Sequence, residues 1–569
     1  MNKRFLLSGV LVLAFAMCKD PLAVPNSNDP DRNRVFTNPA DLQVFTAGLF
    51  AVVHQSTLGG SNDGLQTQMI VMGMENTSTL ANFAMGPRGS IPRNPITNQR
   101  GSQGNAGNYH DWFRGHRAAR QAALALASLK NITLGSAAAD ARARAFARLI
   151  QGIALGNLSL AYDSASIMTE DDNPEADAAV VVPLSSYQVV NTAALGYLDS
   201  AIAIARANPG AFPFPTTANF WINGVAVADT TAFIRIARSF KARLRAGVAR
   251  TPTERAAVNW TEVINDANAG ITANLAPSMD PTNGWDLSWV VQHFTTGAGA
   301  WHQMSQFWMG MADTSGGYAA WLATTPTNTR APFLVVTPDR RFPGGANCVA
   351  PCPAAARTTQ GAAAGTGTAG QPFANTPYFR NRPPGEDVSG DPLQISMYDF
   401  WRSRAFRQAN RIGPYPIMTR AEMRLLAAEG YVRQNLIAQA IIRIDSSRTL
   451  IGGLPSLVGI ADTITRVPGT AVNCVPKIPD PVQNYRGAIC GNVWDALKYE
   501  YRLETAYTGY GMWYFAARGW GDLPQNTAMQ WPVPFQEMDA RRKPFYGFGG
   551  GGASSAAAGN YGLFPGGVY

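Results

Sequence analysis

Pro416-Ile-Met-Thr-Arg-Ala-Glu-Met-Arg-Leu-Leu-Ala-Ala-Glu-Gly430, continuing as Tyr431-Val-Arg-Gln-Asn-Leu-Ile-Ala-Gln-Ala440 and Ile441-Ile-Arg-Ile-Asp-Ser-Ser-Arg448, decides the fold class. Between Ile417 and Gln434, Ala421, Leu425, Ala428 and Val432 recur at helical spacing and make one apolar face. Glu422, Leu426, Glu429 and Arg433 line a second face, with Arg433 one turn beyond Glu429. A second helical stretch, Leu436 to Leu450, follows within two residues, so the two are expected to fold back on each other as an antiparallel pair.

The same period extends outward in both directions. Asn38 and Pro39 are suited to the N-cap and first helical position of a helix over Asp41 to Gln55. Tyr109 to Leu129 carries Trp112, His116, Ala119, Ala123 and Leu126 on one face. Ala141 to Tyr162 carries Phe146, Leu149, Ile153 and Leu160, with Gly152 and Gly156 beside them where another helix can approach closely. Ser186 to Ala207, Thr230 to Val248, Arg255 to Ala269 and Val493 to Ala517 read as further helices. The period fades from about 271 to 394, a stretch rich in Gly, Pro, Thr and Asn, in which Phe333 to Thr337 suits a short strand and Thr358 to Gly370 is low-complexity. The tail from Gly547 has no packing signature. The expected class is therefore mostly α: tetratricopeptide-like helix pairs over about 39–270 and 395–546, with a loop-rich insertion over 271–394. No 34-residue self-similarity and no Trp-x2-Leu-Gly signature accompany the pairs.

Composition narrows the function classes. The chain has 569 residues, 46% hydrophobic and only 15% charged, a globular balance rather than that of a disordered chain. The net charge of +9 is not a nucleic-acid footprint, because the 40 Arg and 7 Lys are scattered and form no dense basic run. Arg in such excess suits fixed ion pairs inside a large helical scaffold. No run of eighteen apolar residues exists, so no transmembrane helix is expected.

Met1-Asn2-Lys3-Arg4 followed by the apolar run Phe5 to Ala16 has the length of an export signal. The run ends at Cys18, as in a bacterial lipoprotein signal whose Cys carries the lipid, although Phe15 and Met17 depart from the usual residues there. A polar tether, 19–38, follows. In an oxidising compartment the other four cysteines are expected as two disulfides, Cys348–Cys352 and Cys474–Cys490, the second closing a loop worth about 3 kcal/mol. Neither pair has the spacing or the nearby His of a zinc site, and the five His show no His-Glu-x2-His pattern, so neither metal nor cofactor is expected.

Four blocks resemble the SusD/RagB family of outer-membrane nutrient-binding lipoproteins. They are Asp20-Pro-Leu-Ala-Val-Pro-Asn with Pro39 to Phe50; Ala145-Phe-Ala-Arg-Leu-Ile-Gln-Gly to Asp163; the opening stretch Pro416 to Gly430; and Lys498-Tyr-Glu-Tyr-Arg-Leu-Glu-Thr-Ala-Tyr-Thr-Gly509 with Arg518-Gly-Trp-Gly521 and Trp531-Pro-Val-Pro534. Ala506-Tyr507 replaces an acidic residue usual before the Gly, and Gly519 interrupts the Arg-Trp-Gly element. The resemblance implies one SusD-like domain over 39–569, and helix pairs carrying a less regular ligand-binding part. It also implies a lipid anchor in the outer membrane, a TonB-dependent transporter as partner, and an oligosaccharide or peptide as ligand. A secreted glycoside hydrolase and a structural envelope repeat protein are the competing classes.

Glu500 and Glu504, four apart on one helix, have the spacing of a catalytic pair, but Arg402 and Arg518 are available as counter-charges and structural pairing is expected. The acidic run Glu170 to Glu175 is read as a loop after a helix. Sugar rings stack on flat aromatics while their hydroxyls need polar partners. The segment Trp285 to Trp321 holds five Trp and Tyr318 in 37 residues, interleaved with Asn, Gln, Asp and His. Trp285, Trp289, Tyr318 and Trp321, whose neighbours suit exposed turns, are the expected stacking platforms.

Overall fold

The computed structural model describes residues 35–59, 63–78, 82–172, 181–287, 302–343, 377–382, 396–551 and 556–557. The export signal with Cys18, most of the tether, Trp289, the Cys348–Cys352 pair, the Thr358 to Gly370 run and most of the tail lie outside them.

Helix α1 (Pro39–Ala47) opens as expected, with the Asn38 side chain accepting from the backbone N–H of Ala40 at 2.9 Å and of Asp41 at 3.3 Å. Instead of running on to Gln55 it breaks at Gly48, where the Trp221 N–H takes the Ala47 carbonyl at 2.7 Å. Helix α2 (Leu49–Thr57) resumes beyond it, and α3 (Leu65–Met72) follows, buried along its whole length. The long helices α4 (Asn105–Ser128) and α5 (Ala137–Ala161) then pack on each other, and α6 (Tyr187–Ala207) packs on α5. The stack continues through α7 (Thr230–Gly247), α8 (Trp260–Asn268), α9 (Arg420–Arg433), α10 (Ile437–Arg448) and α11 (Val493–Thr505), and α12 (Met512–Trp520) closes it. The reading of one helix from Arg255 to Ala269 is corrected to two, Pro252–Ala256 and α8, divided where Asn259 caps α8 by accepting from the Glu262 N–H.

Sequence reasons for the contacts are visible residue by residue. A side chain at Gly152 would sit 2.7 Å from Leu198 and 2.9 Å from the Ala194 carbonyl oxygen on α6; one at Gly156 would sit 2.3 Å from Leu244 on α7. The two glycines thus let two different helices reach α5. Asn435 takes a left-handed φ of 58°, and the chain turns there so that α10 lies against α9. Paired Arg and Glu fasten neighbouring helices. Arg243 on α7 grips Glu422 on α9 with two bonds of 2.7 and 2.6 Å, and Arg255 grips Glu429 with two of 2.9 and 2.7 Å. Arg433 also reaches Glu429 at 2.9 Å, one turn away on the same helix.

The irregular stretch is built into this scaffold. His302–Met304 pairs antiparallel with Asn76–Ser78, and Phe379–Asn381 with Tyr398–Phe400. Phe333 to Thr337 is not a strand; Val336 gives its carbonyl to the Thr314 N–H at 2.7 Å instead. Arg341, from the same stretch, is fully buried against Glu500 at 2.6 and 2.9 Å and Asp339 at 2.9 and 2.8 Å, with Glu504 at 3.4 Å. Glu504 is also met by Arg402 at 3.1 Å, as expected, whereas Arg518 bonds the carbonyls of Met529 and Gly247. The Cys474–Cys490 disulfide is present with its Cα atoms 5.7 Å apart, beside the antiparallel pair Lys477–Pro479 and Ala488–Cys490. The start of the tail does pack: Phe548 exchanges two backbone hydrogen bonds with Ile96, at 2.8 and 3.0 Å. Among the described residues no helix is long and apolar enough to cross a membrane.

Candidate functional site

The expected stacking platforms are enclosed. Trp285 is fully buried, its ring stacked on Phe50 and His54 with centroids 6.0 and 5.4 Å apart. Tyr318 and Trp321 come together on the short helix Gly317–Ala323, stacked at 6.2 Å, and both are buried. Gly310 makes room for the Tyr318 ring, which lies 2.1 Å from where a Cβ would be, and the Arg330 guanidinium covers Trp321 at 4.6 Å. The exposed-turn environment expected of these three is therefore corrected to core. The loop composition around them misled because its polar members cap one another: Asp313, buried, accepts from the N–H groups of Ser315, Tyr318 and Val336. Trp289 lies outside the described residues.

An open aromatic surface lies on α4. The helix forms because Ala118, Ala119, Ala122, Ala123 and Ala125 favour it, and those residues bury its inner side together with Trp112. Tyr109 and Phe113, four apart on the other side, stack at 5.6 Å with planes 24° apart, and Phe113 is 49% exposed. With Trp112, His116, Arg117, Arg120, Ser166, Met168, Val182, Glu537 and Arg541 they enclose a groove of about 330 Å³, within the range of small-molecule pockets.

The polar part of the groove is held in place by hydrogen bonds. His116 Nδ1 donates to the Trp112 carbonyl at 2.9 Å, leaving Nε2 to accept from the Ser166 N–H at 3.2 Å. Burial pushes the imidazole below its ordinary value, against the raising effect of that carbonyl, and it stands neutral in one tautomer. Arg541 donates to Glu537 at 2.6 Å, to Ser166 Oγ at 3.1 Å and to the Val182 carbonyl at 2.9 Å, tying the short helix Phe535–Ala540 to the strand Ser164–Ser166. Arg120 donates to the Asp172 carbonyl at 2.5 Å.

Chemically, the groove offers ring faces beside donors. Glycoside hydrolysis by either usual route needs two carboxyl groups flanking the bond. Among the described residues the lining contributes one, Glu537, already committed to Arg541. Nearby, Glu170 is bound to Arg148, Asp171 to Lys130, and Asp172 to the backbone and hydroxyl of Thr169. Glu500 and Glu504 lie in the buried Arg341 cluster. Among the described residues no group of three or more His, Cys, Asp or Glu could hold a metal ion.

Tyr109 and Phe113 were not among the expected platforms. A signal for them exists: on a helix whose inner side is set by Trp112, Ala119, Ala123 and Leu126, two aromatics and an Arg fall at 109, 113 and 117 on the side that should be polar.

No protein-family model matches the chain, and no curated protein matches it. Solved structures do. A SusD superfamily protein from Bacteroides thetaiotaomicron matches with a TM-score of 0.52 over 90% of this chain and 98% of its own, at 12% identity. Another, from Bacteroides vulgatus, matches with a TM-score of 0.51 over 89% and 90%, also at 12% identity. A SusD-like carbohydrate binding protein from Bacteroides vulgatus matches with a TM-score of 0.50 over 84% and 83%, again at 12% identity. The stacked helices and the irregular part locked into them thus reproduce an architecture met in these structures over most of the chain: the fold is that of the SusD superfamily.

Proposed function

We propose that this protein is a cell-surface nutrient-binding lipoprotein that captures an oligosaccharide in the α4 groove and hands it to a TonB-dependent outer-membrane transporter. The observation that carries the reading is the Tyr109–Phe113 stack, with Phe113 exposed and Tyr109 half-buried, over a groove whose donors and acceptors are fixed by hydrogen bonds. An aromatic face open beside polar groups offers a sugar ring both a stacking surface and hydrogen-bond partners. The SusD-like fold supports the assignment, as does one match that is described as carbohydrate binding. The export signal ending at Cys18 supports attachment to the outer membrane, where a diacyl anchor holds without a spanning helix.

Titration of the full-length protein with a panel of oligosaccharides tests this reading. Saturable binding without products is expected, and F113A should weaken it about fivefold or more while leaving the melting temperature nearly unchanged. Product formation would move the protein to the hydrolases. Binding indifferent to both Phe113 and Tyr109 would remove the groove from the account. The delivery step predicts that the protein co-purifies with a TonB-dependent transporter from detergent-solubilised outer membranes.

A further inference from the structure

We infer that the α4 groove is built for an acidic saccharide, one bearing a uronate carboxylate, and that Arg117 is the residue that recognises it; this rests on the saccharide-binding reading above. Among the described residues four charged side chains line the groove: Arg117, Arg120, Glu537 and Arg541. Glu537 and Arg541 neutralise each other, and Arg541 is further spent on Ser166 and Val182. Arg120 is engaged at the Asp172 carbonyl. His116 is neutral and fixed. The described carboxylates of the adjoining loop are occupied, Glu170 by Arg148, Asp171 by Lys130 and Asp172 by Thr169. None of them turns to Arg117, which is exposed.

Position adds to charge. Arg117 follows Phe113 by four residues and Tyr109 by eight, so the two rings and the guanidinium form one strip along the helix, with neighbours about 5–6 Å apart at Cβ. A pyranose lying on the Phe113 ring would direct a substituent at its edge along that strip. A carboxylate there meets a planar fork suited to grip both of its oxygens, a stronger contact than a neutral hydroxyl would make. The groove therefore reads in two steps: ring faces select a sugar, and Arg117 selects its charge.

The decisive experiment compares oligogalacturonide, oligoglucuronide and alginate oligomers with their carboxyl-reduced counterparts, which keep linkage and length but lack the charge. At low ionic strength at least one uronide should bind the full-length protein about tenfold more tightly than its reduced form. R117Q should erase that difference by weakening the uronide far more than the reduced form, and F113A should weaken both. The preference should also shrink as salt rises, because Arg117 is exposed. Equal affinity for every uronide and its reduced form, or a preference that survives R117Q, overturns the inference. Selective binding of sulfated oligosaccharides alone also overturns it. If neutral oligosaccharides bind in a Phe113-dependent way without any acidic preference, the saccharide-binding reading stands and only this inference falls. If no saccharide binds, both fall.

Discussion

Glu75 is buried between α3 and the turn after α11, where one carboxyl oxygen accepts the Tyr507 N–H at 2.6 Å. Burial pushes its pKa from the ordinary 4.5 up to about 8, against the lowering effect of that hydrogen bond. Between those two values the folded protein holds a proton that the unfolded chain has released. Stability contributed by the neutral carboxyl is thus complete below pH 4.5, falls as pH rises, and is lost above pH 8. E75Q keeps an acceptor for Tyr507 and never ionises. At about 1.4 kcal/mol per pH unit, it should exceed the parent by at least ~2 kcal/mol at pH 8.5 and equal it near pH 4.5, as read by urea unfolding at both values. A variant less stable than the parent at pH 8.5 would mean that burial does not raise the pKa of Glu75. Nothing in the sequence marks Glu75 as different from other acidic residues. Its environment comes from a residue 432 positions away. Glu500 and Glu504 were more legible, because their spacing demanded counter-charges. Arg402 was found, but Arg341 was not, since no local pattern announces an Arg 159 residues before Glu500.

At the scale of elements, periodicity located the helices and small residues located their contacts. After Ala47 and after Thr505, where the structure breaks an expected helix, a tertiary hydrogen bond or a left-handed residue has overridden the local pattern. The helix read from Val493 to Ala517 is two, α11 and α12, because the chain between them turns through Tyr507 and Gly511, both at φ 58°. Their N–H groups are taken by Glu75 and Gln66, partners no helical period encodes. Gly152 and Gly156 were legible because the reason for them is packing, which acts through size. Gly152 and Gly196 therefore make a controlled comparison. Replacing either with Ala adds up to about 1 kcal/mol of helix propensity. At Gly152 the new methyl meets Leu198 and the Ala194 carbonyl oxygen below 3.0 Å, so G152A should lose about 1–2 kcal/mol net. At Gly196, on the same pair of helices, nothing lies within 4 Å, and G196A should gain about 0.5–1 kcal/mol. Denaturant midpoints with unchanged slope would measure both. Equal and favourable effects would show that α5 and α6 do not approach at Gly152.

For the whole molecule, the sequence suggests a helical scaffold with a loop-rich insertion, and leaves open how the insertion is held to the scaffold. The buried charges show how it is held. Arg341 comes from that stretch, yet it neutralises Glu500 and Asp339 and approaches Glu504, inside the scaffold. Without it Glu500 and Asp339 would lose their buried ion-pair partner, a loss of about 3–5 kcal/mol for a broken buried pair. His302–Met304 completes a sheet with Asn76–Ser78, and Trp308 lies against the Arg502 guanidinium at 3.3 Å. The helices before and after the stretch are joined in turn by Arg243–Glu422 and Arg255–Glu429. The loop-rich stretch is thus tied by buried contacts to the helices on both sides of it, and the core of described residues runs from α2 to α12. Such coupling predicts one cooperative unfolding event. Far-ultraviolet circular dichroism reads the helices, and tryptophan fluorescence reads Trp308 and Trp321 as well as the scaffold. Their thermal midpoints should coincide, and the calorimetric enthalpy should match the van't Hoff value. Truncating Arg341 to Ala should shift the two curves down together rather than separate them. An early fluorescence transition that leaves the helical signal intact would show that the loop-rich part melts alone, and that the ion pairs binding it to the scaffold contribute little to its stability.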